Sequence, residues 1–373
     1  MRGMKDKKKR ILLLAAVILI VACVGIYFFI KYQSFQYVEI TTVYENTSTD
    51  NANYRRCLEG ILRYSRDGIA LLADNGEEIW NQPCQMSNPT VETCEESVAV
   101  GDKGGTSILV LEKKGLKGEI QTTKPIEKFA VSSQGIVSAI LKDDDSPLVM
   151  CYDAVGNKLV EHKVQPKNMG YPVDVSISRD GNTLLVSYLH TEGNEVVSTI
   201  SYYYFGDKNK SDDYQIYQKD FNNTVIPVTS FLENDISLLT ADNALVFCKG
   251  LQQIEETNRV ELKTEIQSVA YNNELIAIVL RKDDATDYKL NIYDIKGKLL
   301  SSVDVDKEYE NLKVCDGQVI LYDGQGCSIY MKNGVHKFEG NIDQKIMEIF
   351  PLSGLNKYMV INADGFHEIR LVK

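Results

Sequence analysis

Beyond its first thirty residues this chain has no sustained helical periodicity, so the body reads as nearly all β. It has no Gly-x-Ser-x-Gly nucleophile elbow, which excludes the hydrolases that append such a domain to a β-scaffold. Histidine is scarce: His162, His190, His336 and His367 stand singly, with no Cys or His at ligand spacing, so no transition-metal site is predicted. Positive charge is scarce once the first ten residues are set aside. MRGMKDKKKR holds six basic groups against one Asp, a net of +5, so the remainder carries −16 of a total of −11. So acidic a body repels phosphate backbones, and no nucleic-acid partner is expected.

What is present begins with the uncharged run ILLLAAVILIVACVGIYFFI, Ile11–Ile30. As a helix it would rise about 30 Å, enough to cross a hydrocarbon core. Lys7, Lys8, Lys9 and Arg10 precede it and only Lys31 follows, so the positive-inside bias places the amino terminus in the cytoplasm and the rest outside the plasma membrane. Residues 1–10 form a basic cytoplasmic arm and 11–30 a transmembrane signal anchor. A cleavable signal would be shorter with a small-residue exit, whereas this run continues through Tyr27, Phe28 and Phe29. Ile20-Val21-Ala22-Cys23 resembles a bacterial lipobox, which leaves lipidation at Cys23 as an alternative tether, although Val24–Ile30 stays apolar where lipoproteins normally turn polar.

From Tyr37 onward, short apolar or alternating runs recur between Asp-Gly, Asn-Gly and Lys-Gly turns, and they group in fours. IEKFAV, IVSAILK, LVMCYDAVG and KLVEHKV make one group, and IQSVAY, LIAIVL, KLNIYDIKG and KLLSSVDV another. Each has an apolar second strand, a third ending in a Gly turn, and a more polar fourth, the gradient of a propeller blade. An all-β, eight-bladed propeller over residues 55–373 is therefore predicted, behind a linker (residues 31–54) holding a closing strand at Tyr37–Val43. Seven blades would require discarding one well-formed group.

SRDGIALLADNGEEIW and NIYDIKGKLL resemble quinoprotein (PQQ-like) repeats, and VSISRDGNTLLVSY resembles the strand pair of WD40-type and TolB-type blades. The whole plan resembles uncharacterised domain-of-unknown-function families of single-pass propeller proteins from Gram-positive bacteria. That resemblance implies an extracytoplasmic binding or scaffolding module. Quinone enzymes carry a tryptophan in nearly every repeat, a pair of adjacent cysteines and a calcium ion. Here Trp80 is alone, the corresponding positions read as Ile120, Val160, Ile216 and Leu300, and no cysteines adjoin, so no cofactor is expected.

Asp143-Asp144-Asp145 and Asp283–Asp287 read as solvated hairpin tips, with weak calcium binding as the alternative. Ser178–Thr183 reads as a β-turn. Seven cysteines follow Cys23, an odd number, and at most one or two disulfides are expected among them, with Cys57, Cys84 and Cys94, which flank the first blade, the first candidates to pair. No catalytic residue is named. The expected partner is a cell-envelope protein, peptide or glycan met by a monomeric ectodomain. An enzyme whose groups converge at the channel mouth is the alternative.

Overall fold

The computed structural model describes residues 33–45, 52–143, 145–206, 214–282, 287–342 and 345–373, together with 13, 14, 16–22, 24, 25 and 28. Eight four-stranded antiparallel sheets make up its body. In chain order the blades cover residues 53–83, 89–121, 126–163, 171–222, 228–261, 266–305, 311–341 and 348–372. We number them 1 to 8 and count strands outward from the channel. The eighth sheet borrows its outermost strand from the other end of the chain: β1 (Tyr37–Glu45) pairs antiparallel with Gly365–Val372, from Tyr37↔Val372 to Glu45↔Gly365. Just before it, the Phe35 amide donates to the Lys337 carbonyl of blade 7 (2.8 Å) and the Ser34 hydroxyl to the His336 carbonyl (2.7 Å).

Burial follows the predicted gradient. Ile108–Leu111 on the third strand of blade 2 are buried, whereas the fourth strands Glu78–Pro83 and Lys158–Lys163 have no buried residue. There is no single core. Eight apolar clusters lie one at each blade–blade joint, including Phe350, Met359, Ile361 and Phe366 of blade 8 against Tyr54, Ile61 and Leu72 of blade 1. A blade cannot cover its own faces, so closure of the ring completes the burial. Four third-to-fourth-strand turns repeat one geometry, with Gly76, Gly156, Gly297 and Gly334 at φ of 80°, 91°, 81° and 84°. In two of them an aspartate, Asp153 or Asp294, accepts from the amides two and four residues on. The Ser178–Thr183 turn is closed likewise: the Ser178 hydroxyl donates to Asp180 (2.6 Å) and accepts from the Thr183 amide (2.9 Å).

Every third-to-fourth-strand pairing carries a one-residue bulge. In blade 1, Leu71 faces Trp80 but Leu72 faces Glu78. The same rule aligns Trp80 with Gly118, Val160, Tyr217, Asn258, Ser301 and Phe338. Of the residues expected at this position, only Val160 occupies it. Ile120 lies two residues past Gly118, and Ile216 and Leu300 lie one residue before Tyr217 and Ser301. The aligned residues knit neighbouring blades by different means. Trp80 Nε1, Asn258 Nδ2 and Ser301 Oγ each donate to a turn carbonyl of the next blade, those of Lys113, Lys296 and Lys332 (3.0, 2.9 and 3.3 Å). At Gly118 a Cβ would lie 2.2 Å from the Ala154 carbonyl oxygen, so glycine there lets two backbones meet directly.

One expectation needs correction. The seven cysteines from Cys57 to Cys327 are all free, so the disulfides expected among Cys57, Cys84 and Cys94 do not form. Each sits in or against an apolar cluster at a blade–blade joint instead, Cys57 and Cys84 at the joint of blades 1 and 2 and Cys94 at that of blades 2 and 3. Burial pushes the thiols of Cys57 and Cys94 up to about 11 and that of Cys151 to about 12, which keeps them protonated and inert. Among the described residues no helix is long and apolar enough to cross a membrane. The predicted span Ile11–Ile30 falls only partly within them, its described positions being helical, and Ile11, Cys23 and Ile30 lie outside. Of the acidic tips, Asp143 is paired with Lys124 (3.0 Å), while Asp144 and residues 283–286 lie outside the described residues.

Candidate functional site: the central channel

The first strands of all eight blades enclose a channel of about 940 Å³. Their outward-facing side chains pack in the joints, and those pointing to the axis meet water, so polar residues are tolerated there at intervals of one per blade. Near its middle the signs alternate. Blades 1 to 4 present Arg55, Glu92, Lys128 and Asp174, blades 5 and 6 the neutral Ser230 and Tyr271, and blades 7 and 8 Lys313 and Glu348.

Neighbours satisfy most of these charges. Lys313 Nζ donates to Glu348 Oε1 (2.6 Å) and to the Ile349 carbonyl (3.3 Å). Lys128 lies 3.6 Å from Asp174 Oδ1, while Asp174 Oδ2 accepts from the Thr229 amide (2.6 Å) and hydroxyl (3.0 Å) of blade 5. Burial nonetheless raises the Asp174 carboxyl above the usual carboxylate range, against the pull of Thr229 and Lys128.

Between blades 1 and 2 the pattern is open. Arg55 Nη1 donates to the Val91 carbonyl (2.7 Å) rather than to a carboxylate. Glu92, the next residue, has no hydrogen-bond or ion-pair partner among the described residues. Channel water reaches it, yet protein surrounds it closely enough that desolvation raises its carboxyl, with Asp174 adding to the rise and Arg55 and Lys128 opposing it. Tyr271, 36% exposed to the channel, is raised by burial and linked to Ser230.

One mouth of the channel is braced by Arg179, on the turn between the first two strands of blade 4. Its guanidinium reaches Glu95 of blade 2 (3.2 Å), Glu233 of blade 5 (3.0 Å) and the Leu232 carbonyl (3.0 Å). Its own carbonyl accepts from the Ser133 amide and hydroxyl of blade 3 (3.0 and 2.7 Å). One residue thus ties four consecutive blades together. No group of three or more metal-ligating side chains occurs among the described residues.

Apart from Arg179, which lies in the Ser178–Thr183 turn, none of these channel residues was singled out from sequence. They stand one per blade, at separations that no local motif spans. The available signal was a charged or hydroxyl residue inside each first-strand run, as in NYRRC, VETC, IEKFAV and VDVSI.

A family profile described as "Family of unknown function (DUF5711)" matches residues 31–371. No curated protein matches the chain. Among solved structures, the C-terminal WD40 domain of Sif2 is similar at 12% identity and a TM-score of 0.58, over 91% of this chain and 99% of that one. At that identity the likeness bears on the fold alone.

Proposed function

Since the chain belongs to the DUF5711 family of unknown function, its geometry has to speak for its role, and we propose an interaction and scaffold module of the cell envelope. The observation that carries this reading is that blades and their turns take up the described residues between Phe35 and Val372, with the turns and the channel mouths as contact surfaces. The partner class is an envelope protein, peptide or glycan.

The module is tethered by Ile11–Ile30, with the propeller on the outer side of the plasma membrane. Supporting this are the uncharged twenty-residue run, the basic arm ahead of it, and the exposure of Leu13, Leu14, Ile18 and Leu19. Lipidation at Cys23 would place the propeller on the same side. In-cell crosslinking from turns at both channel mouths, with partners identified by mass spectrometry, tests the module. Recovery of no partner from either mouth counts against it. External protease on intact cells tests the tether, and full protection that is lost on lysis would reverse the orientation.

A second reading, an enzyme acting inside the channel, is favoured by one observation: Glu92 and Asp174 both carry raised carboxyls beside Arg55, Lys128 and Tyr271. Hydrolytic turnover of envelope glycans or peptides that disappears in Glu92→Gln would favour it over the scaffold.

A further inference from the structure

We propose that the open Arg55–Glu92 pair in the central channel is a binding site for a small zwitterion, a molecule carrying an ammonium and a carboxylate, such as a free amino acid or a short peptide. The inference rests on reading the channel as a binding surface and adds a ligand class to it.

The argument starts from the ring of charges. Its signs alternate, so it offers no extended field to attract a polyanion or a polycation. A ligand that carries both signs over a short distance meets matching groups on neighbouring blades. Two of the pairs, Lys128–Asp174 and Lys313–Glu348, are already closed on themselves. Only at blades 1 and 2 are both signs left available. Arg55 uses one guanidinium nitrogen on the Val91 carbonyl, which leaves further donors for a carboxylate. Glu92 has four lone-pair sites and no protein donor. An ammonium would satisfy it, and the phenols of Tyr64 and Tyr271 border the same channel.

Size agrees with this class. The channel lies at the upper end of small-ligand pockets, so an amino acid or a peptide of a few residues fits with water around it. Burial already costs the charged form of Glu92, and a bound cation would remove that cost. The site therefore favours the ligand whose positive end reaches blade 2.

The test uses the full chain in detergent micelles and follows its melting temperature with six probes. These are a pool of the twenty L-amino acids, a pool of dipeptides, and the N-acetylated and C-amidated forms of both. Stabilisation by an unmodified pool, lost when either end is blocked, is the expected result. The amino-acid and dipeptide arms separate the two sources. Affinity for the stabilising pool should then fall about tenfold or more in Glu92→Gln and in Arg55→Gln. Glu92→Gln removes no hydrogen bond within the protein and relieves the cost of a desolvated charge, so without ligand it should melt no lower than the wild type, which separates lost binding from lost folding. The proposal is overturned if neither pool stabilises the chain, if the N-acetylated pool does so equally well, or if Glu92→Gln binds as the wild type does. Crosslinked partners that persist in Glu92→Gln would leave the scaffold reading intact while this one fell.

Discussion

Toward blade 4, blade 5 presents Thr229, the Phe231 amide and Asn234 to Asp174, Ser176 and Asp180. Toward blade 6 it presents Leu232, Leu238, Leu245 and Phe247 to Ile276, Ile278, Leu280 and Tyr293. Both joints bury an apolar cluster, but among the described residues the first adds a row of hydrogen bonds, where the second has the single Ser230–Tyr271 link between first strands. The two differ in what they specify. Apolar burial is strong and non-directional, so it holds blades together without fixing how they slide. The polar row fixes the register, because a slip would strand Asp174 and the Thr229 amide without partners. The difference extends to the channel. Five of the seven residues of Tyr171–Ile177 in blade 4 are buried, whereas no residue of Ile266–Tyr271 in blade 6 is. The channel wall is rigidly set on the Asp174 side and more loosely on the Tyr271 side.

Substitutions can break this contrast in order of size. Phe247→Ala, at a fully buried ring packed against Gly297 of blade 6, should cost about 3–5 kcal/mol by equilibrium urea unfolding. Asp174→Ala should cost less, about 2–3 kcal/mol, by leaving the Thr229 amide unpaired. It should also loosen the joint specifically, so amides of Val228–Glu233 should exchange hydrogen faster while those of the blade 5–6 joint stay protected. Were Asp174→Ala instead neutral, the polar row would have no part in fixing the register. Ser176→Ala removes a single bond to the Phe231 amide and should cost about 1 kcal/mol. Trp80→Phe keeps a ring in the blade 1–2 joint but loses the Lys113 bond, and should cost about 0.5–1 kcal/mol.

The smallest effect sharpens the comparison through pH. Burial raises the Glu92 carboxyl, so the folded chain keeps a proton there at pH values where the unfolded chain has lost it. The contribution of that group to stability is therefore greatest at low pH and declines as pH climbs from the ordinary carboxylate range through the raised value. Glu92→Gln lacks this slope. Measured in urea across that window, the variant should gain stability relative to wild type with rising pH, and a constant difference would show that Glu92 titrates normally.

The blades were legible because turn chemistry is local. Asn75-Gly76, Asn333-Gly334 and the Asp153 and Asp294 turns each announce a hairpin within five residues. Closure was legible too, since Tyr37–Val43 had no other strand to join. The positions aligned with Trp80 were misread by one or two residues because only the pairing of third and fourth strands fixes which residue faces which, so Ile216 stood in for Tyr217 and Leu300 for Ser301. Cys57, Cys84 and Cys94 were misread because closeness along the chain is not closeness of sulfurs. The channel was invisible for a related reason. Arg55 and Glu348 face one ring from opposite ends of the sequence, and only the closed circle brings them together.

That circle has a history in time as well as a shape. The strand that seals blade 8, Tyr37–Glu45, leaves the ribosome before any blade, while its partner Gly365–Val372 leaves last. At roughly 5–20 residues per second the delay is some tens of seconds. Throughout it the edges of Tyr37–Glu45 stay unpaired and its side chains Val38 and Tyr44 lack the apolar clusters they pack against in the closed ring, the kind of exposed strand that invites pairing with a neighbouring chain. Maturation of this protein is therefore a waiting problem, in which the first strand made is the last one placed.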